Sequence, residues 1–133
     1  MNAFEKALDA LEKTLERAIL GPEIIEDEPK KVIYIAGPVT GVERYWEPFE
    51  KAQDEIEAAG FIALSPTWQP KGMSNEQYMH ICMAMIDSAD GVLFLPKWPQ
   101  SAGARLEWDY CCYVDKPHNT SLSELAKEVH GNE

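Results

Sequence analysis

The amino-acid sequence predicts an α/β fold in which a small parallel sheet lies between helices. Three short runs rich in apolar and β-branched residues have the composition of buried strands, at 32–36, 61–64 and 92–95. Segments of helical length separate these runs, and the alternation is typical of a parallel sheet joined by right-handed crossover helices. A proline follows each run, and ligands of such sheets bind at these carboxyl ends.

The composition is that of a globular domain, with 133 residues of which 45% are apolar and 26% are charged. Twelve Lys and Arg against 23 Asp and Glu give a net charge of −11, which argues against a partner nucleic acid. The apolar runs are too short to span a membrane, and the charged first 20 residues are unlike a signal peptide. Three cysteines without zinc-site spacing predict reduced thiols and a cytoplasmic protein.

Residues 2–20 are predicted to form an amphipathic helix, which Gly21-Pro22 ends. Its apolar residues recur at spacings of three and four, at Phe4, Leu8, Leu11, Leu15 and Ile19. Such a stripe either packs on the domain or forms the contact between subunits of an oligomer, and the sequence leaves both open. The acidic residues 22–30 predict a linker. We therefore divide the chain into a helix with its linker, 1–30, and a domain, 31–133.

Capping residues mark the helices of the domain. The predicted helices span 45–59, ended by Gly60, then 74–88, then 102–114, and finally a short segment that closes near Gly131. Ser74 with Gln77 predicts a capping box at the second of these helices, and Ser121 with Glu124 predicts another at the last. After residue 117 the pattern of a further strand is weak or missing.

The loop after the first strand contains Gly37, Pro38, Thr40 and Gly41. Two glycines allow the backbone to approach a ligand closely, although an ordinary strand-to-helix turn is the favoured interpretation of this loop taken alone. The loop lacks the Gly-Lys-Ser/Thr of a phosphate-binding loop, and it lacks the G-x-G-x-x-G pattern of dinucleotide-binding proteins.

The segment 101–107 is the second candidate. Ser101 is placed to cap a helix whose first residues are small, and open backbone N–H groups at a helix start favour an anion. Glu107 lies less than two turns into this helix, where a carboxylate inside a cleft acts as a nucleophile or a base. The alternative is a solvated surface glutamate, and the flanking Leu106 and Trp108 do not decide between the two.

Four large aromatic residues lie on predicted loops or loop edges: Tyr45, Trp46, Trp68 and Trp98. Their rings could stack on a flat base or a sugar. Alternatively, they anchor the loops to the surface of the domain, and we give the two interpretations equal weight.

For several other residues with reactive side chains, the sequence favours a structural role. Asp90 directly precedes the third strand and is expected to brace backbone there. His80 is interpreted as a residue of a helix face, and Cys111 and Cys112 as packing residues. Asp87 closes the helix that begins after Ser74.

Three strings together resemble proteins of the nucleoside 2-deoxyribosyltransferase-like superfamily. They are Ile-Tyr-Ile-Ala-Gly-Pro at 33–38, Ser-Ala-Asp at 88–90, and Leu-Pro-x-Trp-x-x-Ser-x-Gly-Ala-x-x-Glu at 95–107. The last string is most similar to the small branch called DUF4406, which is common in phages and prophages. The resemblance covers about residues 31–115 and implies a Rossmann-like three-layer fold.

The resemblance also implies chemistry at the N-glycosidic bond of a nucleoside or nucleoside 5′-monophosphate. Glu107 would attack the anomeric carbon, and Tyr34 would orient it through a hydrogen bond. The glycine-containing loop after the first strand would face the sugar or the base. Ser101 would hold the 5′-hydroxyl or 5′-phosphate together with Gly103 and Arg105. This chemistry requires no metal ion and no organic cofactor.

The sequence departs from the superfamily in two places. Active members usually carry an aspartate on the helix before the third strand, and here Asp87 is the only nearby candidate for the acid. The tail after residue 117 is short of strands, so that a neighbouring subunit of a homo-oligomer could complete the site. The expected function is therefore a glycosidase or transferase, and the alternative is an inactive nucleotide-binding module that serves as a sensor or a phage effector.

Overall fold

The computed structural model describes residues 2–20 and 29–131 of the chain. In chain order the helices and strands are α1 (Ala3–Leu20), β1 (Val32–Ala36), α2 (Trp46–Ala58), β2 (Ile62–Leu64), α3 (Asn75–Ser88), β3 (Gly91–Phe94), α4 (Ala102–Val114), β4 (His118–Asn119) and α5 (Leu122–Gly131). Two short 3₁₀ turns, Pro66–Trp68 and Trp98–Gln100, follow β2 and β3. The predicted α/β class is confirmed.

All four strands are parallel and lie in the order β2-β1-β3-β4. Tyr34 in the centre of the sheet is paired with Leu64 on one side and Val92 on the other. The chain therefore leaves β1 toward one edge and later returns to build toward the other. In this topology the crevice between the carboxyl ends of β1 and β3 is the point at which ligands bind.

Helices cover both faces of the sheet and produce three layers. On one face, Ile33, Ile35 and Leu93 pack with buried residues of α2 and α5, namely Phe49, Ala52, Ile56, Leu125 and Val129. On the other face, Tyr34, Val92 and Phe94 pack with buried residues of α3 and α4, namely Cys82, Ile86 and Cys111. Because β1 and β3 are buried on both faces, their sequences are continuous apolar runs.

The expectation that strands are weak or missing after residue 117 is corrected by β4. This strand has only two residues, His118 and Asn119, and pairs in parallel with Val92 and Leu93 of β3. Neither residue is apolar, so the strand carries no hydrophobic pattern. Its position is fixed by backbone bonding, which begins where the Val92 N–H donates to the Pro117 carbonyl at 2.9 Å.

One of the two predicted capping boxes is complete. Ser74 accepts from the backbone of Gln77, whose side chain accepts in turn from the Ser74 N–H. At α5, Ser121 accepts from the Glu124 N–H at 3.3 Å, but its own N–H donates to Asn119. The second box is therefore a simple N-cap, because Asn119 replaces the glutamate as the acceptor.

The helix α1 begins at a reciprocal cap, in which the Glu5 N–H donates to Asn2 and the Asn2 amide donates to Glu5. The predicted stop at Gly21-Pro22 and the linker up to residue 28 lie outside the described residues. Among the helices of the described residues, none has the length and apolar content needed to cross a membrane.

Asp90 braces the start of the sheet, as predicted. Its Oδ2 accepts from the Val32 N–H at 2.7 Å, and its own N–H donates to the Val32 carbonyl at 2.8 Å. We expect Asp90→Ala to lower the free energy of unfolding by about 1 kcal/mol, since a backbone donor loses its charged acceptor. Asp90→Asn keeps an acceptor and should lose less. Urea denaturation measures both, and an unchanged Asp90→Ala protein would contradict this role.

Candidate functional site

The centre of the candidate site is a buried pair formed by Tyr34 and Glu107. Tyr34 is fully buried in β1, and its Oη donates to Glu107 Oε2 at 2.6 Å. Glu107 is 5% exposed and lies on the face of α4 that also buries Ala104 and Cys111. The alternative of a solvated surface glutamate is therefore wrong. The carboxylate is directed into the domain because it lies three residues after one buried position and four before another.

Burial controls the protonation of this pair. Desolvation raises the pKa of Glu107 from 4.5 to about 7, while the hydrogen bond from Tyr34 acts in the opposite direction and lowers it. The pKa of Tyr34 is raised well above 10.0, first by burial and then by the charge of Glu107. Tyr34 thus remains a donor at neutral pH, whereas Glu107 can change its charge there.

Two residues that the sequence analysis did not select complete the surroundings. Cys82 of α3 is buried next to Tyr34, and burial raises the pKa of its thiol. The Gln69 side chain, from the segment after β2, donates to Cys82 Sγ at 3.5 Å. Gln69 Oε1 is buried and accepts no hydrogen bond from the described residues. The only sequence signal for Gln69 was its place after a strand, at the predicted binding edge.

The start of α4 has the predicted form. Ser101 is the N-cap, and its Oγ accepts from the Ala104 N–H at 3.2 Å. A side chain at Gly103 would point toward Met79 of α3, at 3.5 Å from its sulfur, and toward the Ser101 hydroxyl. Arg105 donates from Nη1 to the Pro99 carbonyl at 3.3 Å, so that its guanidinium contacts the preceding loop.

The loop after β1 has a packing requirement of its own. A Cβ at Gly37 would lie 3.0 Å from Leu95 Cβ, so the end of β1 can lie this close to β3 only with glycine there. Gly41 has a φ of +75°, which a glycine adopts without strain. Pro38 is half-buried and Thr40 is exposed. The glycines therefore have structural reasons, in addition to any contact with a ligand.

The four predicted stacking residues separate into two groups. Trp98 stacks on Trp108 with ring centroids 4.3 Å apart and an interplanar angle of 8°, so it anchors the loop after β3 to α4. Tyr45 contacts Trp46 edge to face. Trp46 and Trp68 are 43% and 54% exposed, and their rings are accessible to a ligand.

Asp87 does not join the buried pair. It is exposed and accepts a hydrogen bond from Tyr110 Oη at 2.5 Å, whereas Cys82 and Ile86 of the same helix are buried against the sheet. The candidate acid and the candidate nucleophile are thus not brought together. His80 is exposed, as predicted for a helix face. Within residues 2–20 and 29–131, no group of three or more His, Cys, Asp and Glu could hold a metal ion.

A cavity of about 520 Å³ opens on the other side of the carboxyl edge, between α2, the end of β3 and residues 120–122. Glu47, Lys51 and Glu55 of α2 lie on its wall, opposite Leu95 and Pro96. None of the predicted site residues lines this cavity. No sequence pattern predicts this cavity, because its wall combines three segments that are distant along the chain.

Comparison with known protein families identifies the family of this chain. The family model "Domain of unknown function (DUF4406)" matches residues 31–117, from the residue before β1 to the residue before β4. The match includes both members of the buried pair and leaves out α1 and α5. A search of the curated proteins found no match. Since the model spans more than half of the chain, this protein is a member of the DUF4406 family.

Proposed function

We propose that this protein cleaves or transfers the N-glycosidic bond of a nucleoside or nucleoside 5′-monophosphate, with Glu107 as the nucleophile. The observation that carries the proposal is the buried hydrogen bond between Tyr34 and Glu107. Tyr34 belongs to β1, one of the two strands between whose carboxyl ends this topology binds ligands. A carboxylate held there without a cationic partner among the described residues suits a sugar that becomes positively charged in the transition state.

In the proposed reaction the two carboxylate oxygens have different roles. Oε2 accepts from Tyr34, and Oε1 accepts no hydrogen bond from the described residues, so Oε1 is the attacking atom. In the first step an O–C1′ bond forms, the C1′–N bond breaks, and its electron pair leaves with the base, which takes a proton from water. In the second step water, or the nitrogen of another base, attacks C1′ and releases the carboxylate, and the proton that this attacking group loses neutralises the hydroxide left by the first step.

Neighbouring groups supply candidate contacts for the rest of the substrate. Gln69 Oε1, which accepts no hydrogen bond from the described residues, is a candidate acceptor for an N–H of the base. The amide nitrogen of the same side chain donates to Cys82, which lies next to Tyr34. The first N–H groups of α4, after the Ser101 cap, suit the 5′-hydroxyl or 5′-phosphate. The exposed rings of Trp46 and Trp68 are available for stacking.

A second candidate function is nucleotide binding without turnover, as in a sensor or a phage effector. The observation that favours it is the position of Asp87, which is exposed and accepts a hydrogen bond from Tyr110. Without an aspartate beside Glu107, the leaving base must take its proton from water. A pocket of this kind could bind a nucleotide and leave its glycosidic bond intact.

A pooled incubation distinguishes the two functions. The protein is mixed with the common deoxyribonucleosides, ribonucleosides and their 5′-monophosphates, with and without a second free base, and chromatography follows the products. Release of one base supports a glycosidase, and a new nucleoside supports a transferase. If no product forms while one nucleotide raises the melting temperature, the binding function is supported. If neither occurs, both are contradicted.

A further inference from the structure

An uncovered apolar stripe on α1 is the largest feature that the proposed function does not use. The α1 stripe consists of Phe4, Leu8, Leu11 and Leu15, which are between 44% and 71% exposed. In residues 2–16 every side chain except that of Asp9 is exposed, so the described part of the domain does not cover the stripe. Four large apolar side chains in a row of this kind are costly to leave in water.

The spacing of the stripe is that of a coiled coil. Successive members are four, three and four residues apart, which places Leu8 and Leu15 at heptad position a and Phe4 and Leu11 at position d. A helix that packs on the surface of a domain usually carries a wider stripe, with three to four apolar residues for every two turns. The narrow a/d pattern fits another helix of the same kind.

We infer that α1 pairs with α1 of a second copy of this chain in a parallel two-stranded coiled coil. The charges next to the stripe fix the direction. Glu5 and Glu12 occupy the e positions, and Ala7 and Thr14 occupy the g positions. In a parallel pair Glu12 faces the neutral Ala7 of the partner helix, because an e residue lies opposite the g residue five positions earlier. In an antiparallel pair e faces e, and the glutamates of the two copies would repel each other.

The outer face of α1 is compatible with this arrangement. Lys13 and Asp9 form an ion pair at 3.1 Å on the side away from the stripe, and Lys6 lies on the same outer side. A helix that lies on an anionic membrane carries mostly Lys and Arg among its polar residues, whereas α1 carries four acidic and three basic residues. A second copy therefore suits α1 better than a lipid surface.

The short length of α1 sets how the dimer behaves. Eighteen residues provide about two and a half heptads, fewer than the three to four over which the pattern of a coiled coil is usually sustained. We therefore expect a dimer that dissociates on dilution. Because α1 lies outside residues 31–117, its pairing can be tested without any measurement of base release.

Sedimentation of the full chain over a range of concentrations tests the pairing. We expect the wild type to shift from one to two chain masses, and Leu11→Asp to remain at one. Ala10→Asp is the matched control, since it adds the same charge to an exposed neighbouring position off the stripe and should dimerise. Thermal unfolding of each variant shows that the domain stays folded. A wild type that stays monomeric, or a Leu11→Asp protein that dimerises like the wild type, overturns the inference.

Disulfide formation tests the direction of the helices. In a protein whose exposed Cys112 is replaced by serine, Phe4→Cys places one thiol at a d position of α1. A parallel pair brings the two thiols of residue 4 together, and mild oxidation should link the chains. A dimer by sedimentation that gives no linked chains overturns the parallel arrangement.

Discussion

Glu107→Gln is expected to abolish turnover and, at the same time, to stabilise the fold at alkaline pH. The amide cannot attack C1′, so activity should fall by about three orders of magnitude or more. The folded protein favours the protonated carboxyl, whose pKa is about 7 instead of 4.5. The stability that Glu107 contributes is therefore complete below pH 4.5 and is lost as the pH rises through 7. Above that pH the wild type carries the cost of a buried charge, about 3 kcal/mol for this shift in pKa, which glutamine avoids.

Unfolding in urea at pH 5 and at pH 8.5 separates these effects. Glu107→Gln should exceed the wild type by about 1 kcal/mol or less at pH 5, where the unfolded carboxyl has begun to ionise, and by about 3 kcal/mol at pH 8.5. Glu50→Gln is the matched control, because Glu50 is an exposed carboxylate of α2 and should show no such difference between the two pH values. Equal stability of Glu107→Gln and wild type at both pH values would show that Glu107 is not a desolvated carboxylate.

Tyr34→Phe is expected to move the acid limb of the activity profile to higher pH. Glu107 acts as a nucleophile only when ionised, so kcat/KM of the wild type should rise with pH around 7. The hydrogen bond from Tyr34 lowers the pKa of Glu107, and its loss raises that pKa further. A hydrogen bond to a charged group is worth about 1.5–3 kcal/mol, so kcat/KM at pH 6 should fall about tenfold or more.

Tyr110→Phe provides the control for this experiment. It also removes a tyrosine hydroxyl that donates to a carboxylate, but at the exposed Asp87 of the helix surface. Its pH profile should coincide with that of the wild type. A Tyr34→Phe profile that coincides with the wild type would remove the assigned role of Tyr34.

The sheet could be predicted wherever a strand is buried on both faces. β1 has the predicted residues, because Val32–Ala36 forms an uninterrupted apolar run. The helix α4 was predicted with the same bounds, because Ser101 caps it and small residues open it. β4 could not be predicted, since two polar residues become a strand only through the backbone of β3. Apolar runs and capping residues therefore predicted β1 and α4, whereas β4 has neither of these patterns.

The candidate site was predictable only in part, for a related reason. The pairing of Tyr34 with Glu107 was implied by a family resemblance, while the flanking residues of Glu107 gave no indication that it is buried. The stacking of Trp98 on Trp108 joins a loop to a helix, and no spacing along the chain encodes it. The same holds for the contact of Gln69 with Cys82, which depends on how the segment after β2 lies on α3.

The stereochemistry of methanolysis tests the central claim most directly. The protein is incubated with the substrate identified in the pool and with methanol, and nuclear magnetic resonance identifies the anomer of the methyl glycoside. Attack by Glu107 followed by attack of methanol inverts C1′ twice, so we expect the configuration of the starting nucleoside to be retained in full. We also expect no product from Glu107→Gln. An inverted or mixed product, or the same product from Glu107→Gln, would contradict a covalent intermediate on Glu107.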